Sequence, residues 1–249
     1  MKIAQLTDLH IGLEGQDTYN VDVRDNFLQI LGEVVYAEPD LIVLTGDLCF
    51  DQGLKEIYVW IKDKLDNTNI PYLVLPGNHD DVALMKEVFE IDYSHGDEEI
   101  YFAKKLSKTT ALFLDNSKAS HSENQKKWIK RQLHQADKNL LVFTHYPPSK
   151  CKVTFMDKNY AAKDNKEMQK LFHAFEKNIY LFCGHYHTTK SVHLDNLHIA
   201  IGPSTYLQID SSAAEFRVES YQIGYRMIEL SKNRCMSSVR FIGGRLLES

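Results

Sequence analysis

Six short apolar runs recur through the first three quarters of the chain, separated by amphipathic stretches. They cover residues 3–6, 41–44, 72–75, 111–114, 140–143 and 179–183. Each has the length of a strand and is rich in β-branched, leucine or aromatic residues. Between them, residues 22–36 place Phe27, Ile30, Leu31, Val34 and Val35 at helical spacing. Residues 54–65 do the same with Ile57, Tyr58, Ile61 and Leu65, and residues 123–133 with Trp128, Ile129 and Leu133. This βαβα alternation predicts an α/β protein with a largely parallel, buried sheet under helices. The last quarter changes character. Residues 198–201, 206–209, 221–230 and 235–241 read as strands with little helix between them, predicting a more antiparallel sheet packed on the first. The stretch from Pro147 to Ala162 is expected to be a long loop.

At 249 residues and 43% hydrophobic, the chain has enough apolar material for one large core, and residues 1–249 are read as a single domain. Two small domains would also fit that length. The formal net charge of −5 comes from interspersed acids and bases, so no basic footprint for nucleic acid is present. A small anionic substrate remains compatible, because bound cations reverse the local field of a pocket. The cysteines Cys49, Cys151, Cys183 and Cys235 form no CxxC pair, and buried free thiols are expected rather than a disulfide framework. The opening MKIAQLTDLH has neither an extended apolar core nor a small-residue cleavage site, and no run approaches a membrane span. A cytoplasmic protein is expected.

Five of the strand-like runs end in metal-ligand residue types. Asp8 and His10 follow the first, Asp47 the second, and Asn78 with His79 the third. His145 follows the fifth, and His185 with His187 the sixth. Ligands of open α/β sheets bind beyond the carboxyl ends of strands, so these side chains are expected to share one crevice. Imidazole with carboxylate, and no thiolate, favours iron, manganese or zinc over magnesium. The set is too large for one ion but suits two ions ~3.5–4 Å apart, with Asp47 as the natural bridge. The Asp8–Leu9–His10 and His185–Tyr186–His187 spacings predict extended segments that turn both outer side chains to one side. Gly46, Gly77 and Gly184 each precede an expected ligand, where a sharp turn or close backbone approach is needed.

Taken singly, these residues have simpler explanations. A strand-end Asp47 would cap a helix, Asn78 would be a turn residue, and His145 would be hydrogen-bonded structure. Their joint placement is what points to a metal centre. Asp80 either orients a neighbour or caps the following helix, and the cap is the preferred reading. His95, His121, His134, His173, His193 and His198, in polar loops or on helix faces, are read as structural. Tyr19, Asn20 and Tyr206 are candidates to meet substrate from loops near the crevice, whereas Tyr58 and Trp60 are expected to pack.

With those residues in view, the chain resembles the calcineurin-like metallophosphoesterases. The motifs are TDLH (residues 7–10), TGDL (45–48), GNHD (77–80), THYPP (144–148) and GHYH (184–187). Within that superfamily the chain is similar to the class III cyclic-nucleotide phosphodiesterase and glycerophosphodiesterase branch. LFLDNS (112–117), the QKKW at 125–128 and GPST (202–205) also fit that branch, so the likeness spans residues 2–230. It implies two packed mixed β-sheets flanked by helices, and two iron or manganese ions, with zinc as an alternative. Asp8, His10, Asp47 and His187 would hold one ion. Asp47, Asn78, His145 and His185 would hold the other. The implied reaction is attack of a metal-bridging hydroxide on a small anionic phosphodiester, a 3',5'-cyclic nucleotide such as cyclic AMP first, with His79 as the catalytic acid. A glycerophosphodiesterase, a nucleotide pyrophosphohydrolase and a catalytically silent scaffold are the alternatives. Two departures matter. Tyr146 stands where the branch carries the second histidine of HHPP, and the arginine of the phosphoprotein-phosphatase subclass is missing from residues 46–53.

Overall fold

Thirteen strands and six helices make up the described structure, a computed structural model covering residues 1–96, 98–136, 138–231 and 234–247. The first half runs β1 (Lys2–Leu6), α1 (Val23–Ala37), β2 (Leu41–Thr45), α2 (Lys55–Asp66), β3 (Tyr72–Leu75), α3 (Val82–Val88), β4 (Phe102–Leu106) and β5 (Thr109–Phe113). Next come α4 (Glu123–Gln135), β6 (Leu140–Phe143), α5 (Thr154–Asn159), α6 (Asn165–His173) and β7 (Ile179–Cys183). The chain closes with β8 (Lys190–Leu194), β9 (Leu197–Ile201), β10 (Gln208–Ile209), β11 (Val218–Ser220), β12 (Gln222–Ser231) and β13 (Arg234–Gly243).

The parallel strands are divided between two mixed sheets. One has the order β13-β12-β1-β2-β3 and the other β4-β5-β6-β7-β9-β8, with β10-β11 as a separate small ribbon. The parallel pairs are β1·β2 and β2·β3 in the first, and β5·β6, β6·β7 and β7·β9 in the second. The expected late antiparallel sheet is therefore corrected. β12 and β13 extend the sheet of β1, while β9 joins β7 in parallel and pairs antiparallel with β8. The late strands complete two existing edges: β12 joins β1 and β9 joins β7, and their hairpin partners β13 and β8 become the new edges. The loop expected from Pro147 to Ala162 contains α5.

Buried side chains of both sheets join one apolar cluster. Polar ties cross between the sheets as well. The Gln5 side chain on β1 donates to the Cys183 carbonyl on β7 (3.0 Å), and Arg226 on β12 donates to the Ile201 carbonyl on β9 (2.8 Å). Across the second sheet, Phe102, Phe113, Phe143 and Phe182 stack in register, with ring centroids 4.6, 5.0 and 5.6 Å apart. Each such pair contributes roughly 0.5–1.5 kcal/mol beyond its buried area. The row lies at the ends of β5, β6 and β7, and so aligns the loops that follow them.

The helices bury the faces their periodicity implies. Phe27, Ile30, Leu31 and Val34 are buried on α1 beneath an Asp22 cap, although Val35 is 44% exposed. Tyr58 is fully buried, and Trp60 packs on Phe27 under the Arg24 guanidinium. The four cysteines are free. No helix among the described residues is long and apolar enough to cross a membrane.

Candidate metal centre

The loops after β1, β2, β6 and β7 converge, and they do so on a strained backbone. Asp8, His10, Asp47, His185 and His187 all adopt left-handed φ, between +46° and +68°. That conformation costs an L-residue roughly 1–2 kcal/mol and persists where the surroundings over-determine it. The expected extended geometry at residues 8–10 and 185–187 is thus corrected: local kinks, not strand alternation, aim these side chains. Backbone bonds hold the kinks. Asp8, His10 and Ile11 donate N–H to the carbonyls of Gly46, Asp47 and Leu48 at 2.9–3.0 Å. Gly46 has φ +99°, and a Cβ there would lie 2.5 Å from His145 Nδ1. At Gly77 a Cβ would meet the backbone N and carboxylate of Asp47. Close packing of one ligand loop on the next explains both glycines.

Two donor clusters result. Asp8, His10, Asp47 and His187 form the first, and Asp47, His145 and His185 the second; within each, ligand atoms lie within 4.8 Å of one another. One Asp47 oxygen serves both, with Oδ2 3.3 Å from His145 Nε2 and 3.7 Å from His10 Nε2. His187 Nε2 lies 3.5 Å from Asp8 Oδ1. The imidazoles are oriented from behind by carbonyls, which only accept. His145 Nδ1–H donates to Thr45 O (2.8 Å), His185 Nε2–H to Tyr160 O (3.0 Å) and His187 Nδ1–H to Leu207 O (3.2 Å). Such partners fix the tautomer that leaves the other nitrogen as a lone pair for a metal.

The donor set fits a pair of cations. His10 Nε2 and His187 Nε2 face each other at 3.0 Å, and with His187 Nδ1–H given to Leu207 O the pair requires either a proton on His10 Nε2 or a cation between them. His145 Nε2 is buried without a hydrogen-bond partner. Burial, opposed by His145 and reinforced by the Asp47 charge, pushes Asp8 up to about 7. Burial also acts on Asp47, but the His145 and His10 imidazoles outweigh it and hold that carboxyl well below its usual range. Burial pulls His185 and His187 down to about 3, keeping both neutral as metal ligation requires.

Asn78 is exposed in the turn after β3. Its neighbours contact the shared aspartate: Gly77 lies against Asp47, and His79 N–H donates to Asp47 Oδ1 (3.0 Å). Residues 78 and 79 form a turn. The His79 ring sits 5.0 Å from the His10 ring and is anchored through Nδ1 to the Asp51 carbonyl (3.1 Å).

Asp80 does not cap α3; Asp81 does, accepting from Leu84 N. The Asp80 carboxylate instead accepts from the N–H groups of Leu48 (3.1 Å), Cys49 (3.3 Å) and Gly77 (2.8 Å) and from the Tyr58 hydroxyl (3.0 Å). It knots the β2 and β3 loops around Asp47. Asp80→Ala strands these donors, so it should destabilise by at least about 1–3 kcal/mol and weaken metal binding about 10–100-fold. Thermal denaturation and metal titration check this; a variant with native midpoint and affinity would remove the knotting role.

Several supporting residues escape a reading by ligand type. Asn116 accepts from the N–H groups of His145 (3.2 Å) and Tyr146 (3.0 Å) and donates to Tyr146 O (3.0 Å). Its place in LFLDNS was the available signal. The Tyr146 ring lies on His185 with centroids 3.7 Å apart, occupying space beside the second cluster. Tyr206 is buried against His10 (5.2 Å), whereas Tyr19 is exposed and Asn20 lies next to it on the same loop. Of the remaining histidines, His121 is buried and bonded to Asp164 (2.9 Å), and His95 packs on Trp128. His173 bonds Asn196, and His134 is exposed at the end of α4. His193 and His198 pair across β8 and β9, on strands rather than in loops or on helix faces.

Comparison with known proteins agrees with this geometry. The family described as calcineurin-like phosphoesterase matches residues 1–189. A probable cyclic nucleotide phosphodiesterase of Fibrobacter succinogenes is 31% identical, over 97% of this chain and 94% of that protein. A probable glycerophosphodiester phosphodiesterase of Arcobacter nitrofigilis is 28% identical, over 90% and 88% respectively. Among solved structures, a dimetal phosphatase from Danio rerio superposes with a TM-score of 0.74 across 99% of this chain and 96% of that one. At 12% identity, that last likeness speaks for the fold alone.

Proposed function

The chain belongs to the calcineurin-like phosphoesterase family, and from that membership we propose that it hydrolyses a small phosphodiester at a dinuclear metal site. The observation that carries the reading is the sharing of Asp47 Oδ2 between two donor clusters. Asp8, His10, Asp47 and His187 would hold one ion, and Asp47, Asn78, His145 and His185 the other. The imidazole and carboxylate donors suit iron or manganese, and zinc less specifically. Bound there, the ions would lower the pKa of water to make a nucleophile and would neutralise the phosphoryl oxygens.

The chain's own residues supply the rest. Asp47 carries the charge between the clusters and is itself steadied by the His79 N–H. His79, with Nδ1–H held by the Asp51 carbonyl, would keep a second proton at Nε2 for the leaving alkoxide. The carbonyls of Thr45, Tyr160 and Leu207 keep three imidazoles in their metal-binding tautomers.

A 3',5'-cyclic nucleotide is the first substrate, supported by the relative at 31% identity. A glycerophosphodiester is the second reading, favoured by the relative at 28%. Elemental analysis should find two transition-metal ions per chain. A chelator should abolish turnover of cyclic AMP, and manganese should restore it. At most one ion under metal-replete conditions sinks the dinuclear site, and turnover of glycerophosphodiesters alone transfers the assignment to the second reading.

A further inference from the structure

Metal binding leaves one aromatic ring beside the first cluster without a task. Tyr19 is 74% exposed, yet its loop is built to hold it. Tyr19 and Asn20 are consecutive non-glycine residues in the left-handed region, at φ +54° and +62°, a conformation that survives where the surroundings enforce it. The Thr18 hydroxyl donates to Val21 O (2.6 Å), and Asn20 N–H donates to Asp17 (3.2 Å). The Asn20 carbonyl accepts from Leu247 N–H (2.9 Å), and the Thr18 carbonyl accepts from the Tyr206 hydroxyl (3.2 Å).

That last bond ties the loop to the site, because the Tyr206 ring packs on His10 at 5.2 Å. Phe50 closes the triangle. Its ring is edge-on to Tyr19 at 5.6 Å, to Tyr206 at 6.0 Å and to His10 at 6.4 Å. Tyr19 therefore stands one ring away from a proposed metal ligand, fixed along one side and open to solvent on the rest. A lone exposed aromatic on a surface needs no explanation. A ring held by strained backbone against the aromatic wall of a phosphoester site is a preorganised stacking surface. Nucleobases stack on such rings whatever their hydrogen-bonding pattern, because every base offers a π-face. A glycerol headgroup offers none.

We propose that Tyr19, backed by Phe50, is the base-stacking platform of this site, so that its substrate is a phosphodiester carrying a nucleobase. This rests on the phosphodiesterase reading and narrows it to nucleotides. The ring need not discriminate adenine from guanine, so selection among bases falls to other contacts.

The test compares manganese-loaded wild type, Tyr19→Ala, Tyr19→Phe and Tyr36→Ala, the last a distant exposed tyrosine on α1. Substrates are cyclic AMP and glycerophosphoethanolamine. In Tyr19→Ala the KM for cyclic AMP should rise about tenfold with kcat within about twofold, as for loss of one base–aromatic stack. Its KM for the glycerol diester should stay put, and the other two variants should match wild type on both substrates. A parallel rise on both substrates, or no rise, overturns the platform. Calorimetric titration with AMP and with ribose 5-phosphate decides the point without turnover. Tyr19→Ala weakening AMP alone supports the platform, and equal weakening or none overturns it. Wild type that binds AMP through Tyr19 but hydrolyses no diester would sink the phosphodiesterase reading and leave the platform standing.

Discussion

Replacing Asp47 with alanine should empty both proposed metal positions and lower kcat/KM by at least about 10³-fold, beyond the 10²–10³ lost with a single preorganised stabilising group. The expectation follows from one oxygen facing both donor clusters. Asn78→Ala should act differently, weakening chiefly the second position, because Asn78 is proposed to serve that position alone whereas Asp47 faces both donor clusters. Metal content per chain, measured after dialysis against a series of free manganese concentrations, separates the two variants. Equal single-ion losses in both would count against Asp47 as the bridge.

His79→Ala should keep both ions and lose roughly 10²–10⁴-fold in kcat on an alkyl diester, the usual weight of a general acid. On bis-(p-nitrophenyl) phosphate the loss should be far smaller, since nitrophenolate departs with little help from a proton. The ring's position carries this expectation. It lies beside His10, but its Nδ1 is engaged by the Asp51 carbonyl and its backbone by Asp47. Loss of an ion would make His79 a ligand, and equal losses on both substrates would remove the acid.

The strands that carry the site were readable because they are buried on both faces and so appear as unbroken apolar runs. The bounds of β3, β6 and β7 coincide with those runs. β4 and β8 escaped because edge strands are polar by necessity: FAKKL and KSVHL expose alternate or consecutive residues to water. The division into two mixed sheets was legible only through the family resemblance; periodicity alone did not reveal it, since it depends on β1 pairing with β12 more than 200 residues later. The six histidine and aspartate residues among the seven expected ligands gather in the two donor clusters, and Asn78 is exposed on the turn after β3. Their identity and strand-end positions were written in residue type. The left-handed backbone that aims them was not, because aspartate and histidine advertise no such conformation. The preference for Asp80 as a cap over a residue that orients its neighbours failed for a related reason. An acid before a helix looks like a cap whether it bonds the helix or, as here, a neighbouring loop.

The placement of the donors across the sheets has a further consequence. Asp8, His10 and Asp47 come from the first sheet, and His145, His185 and His187 from the second. Each cluster draws donors from both, so any cation held there would act as a rivet across the seam. A ligand at 100 times its Kd adds about 2.7 kcal/mol to the state that binds it, a large share of the stability of an ordinary domain. Metal supply and architecture then become a single equilibrium: starvation for the ions would loosen the join between the two halves of the molecule as well as silence its chemistry.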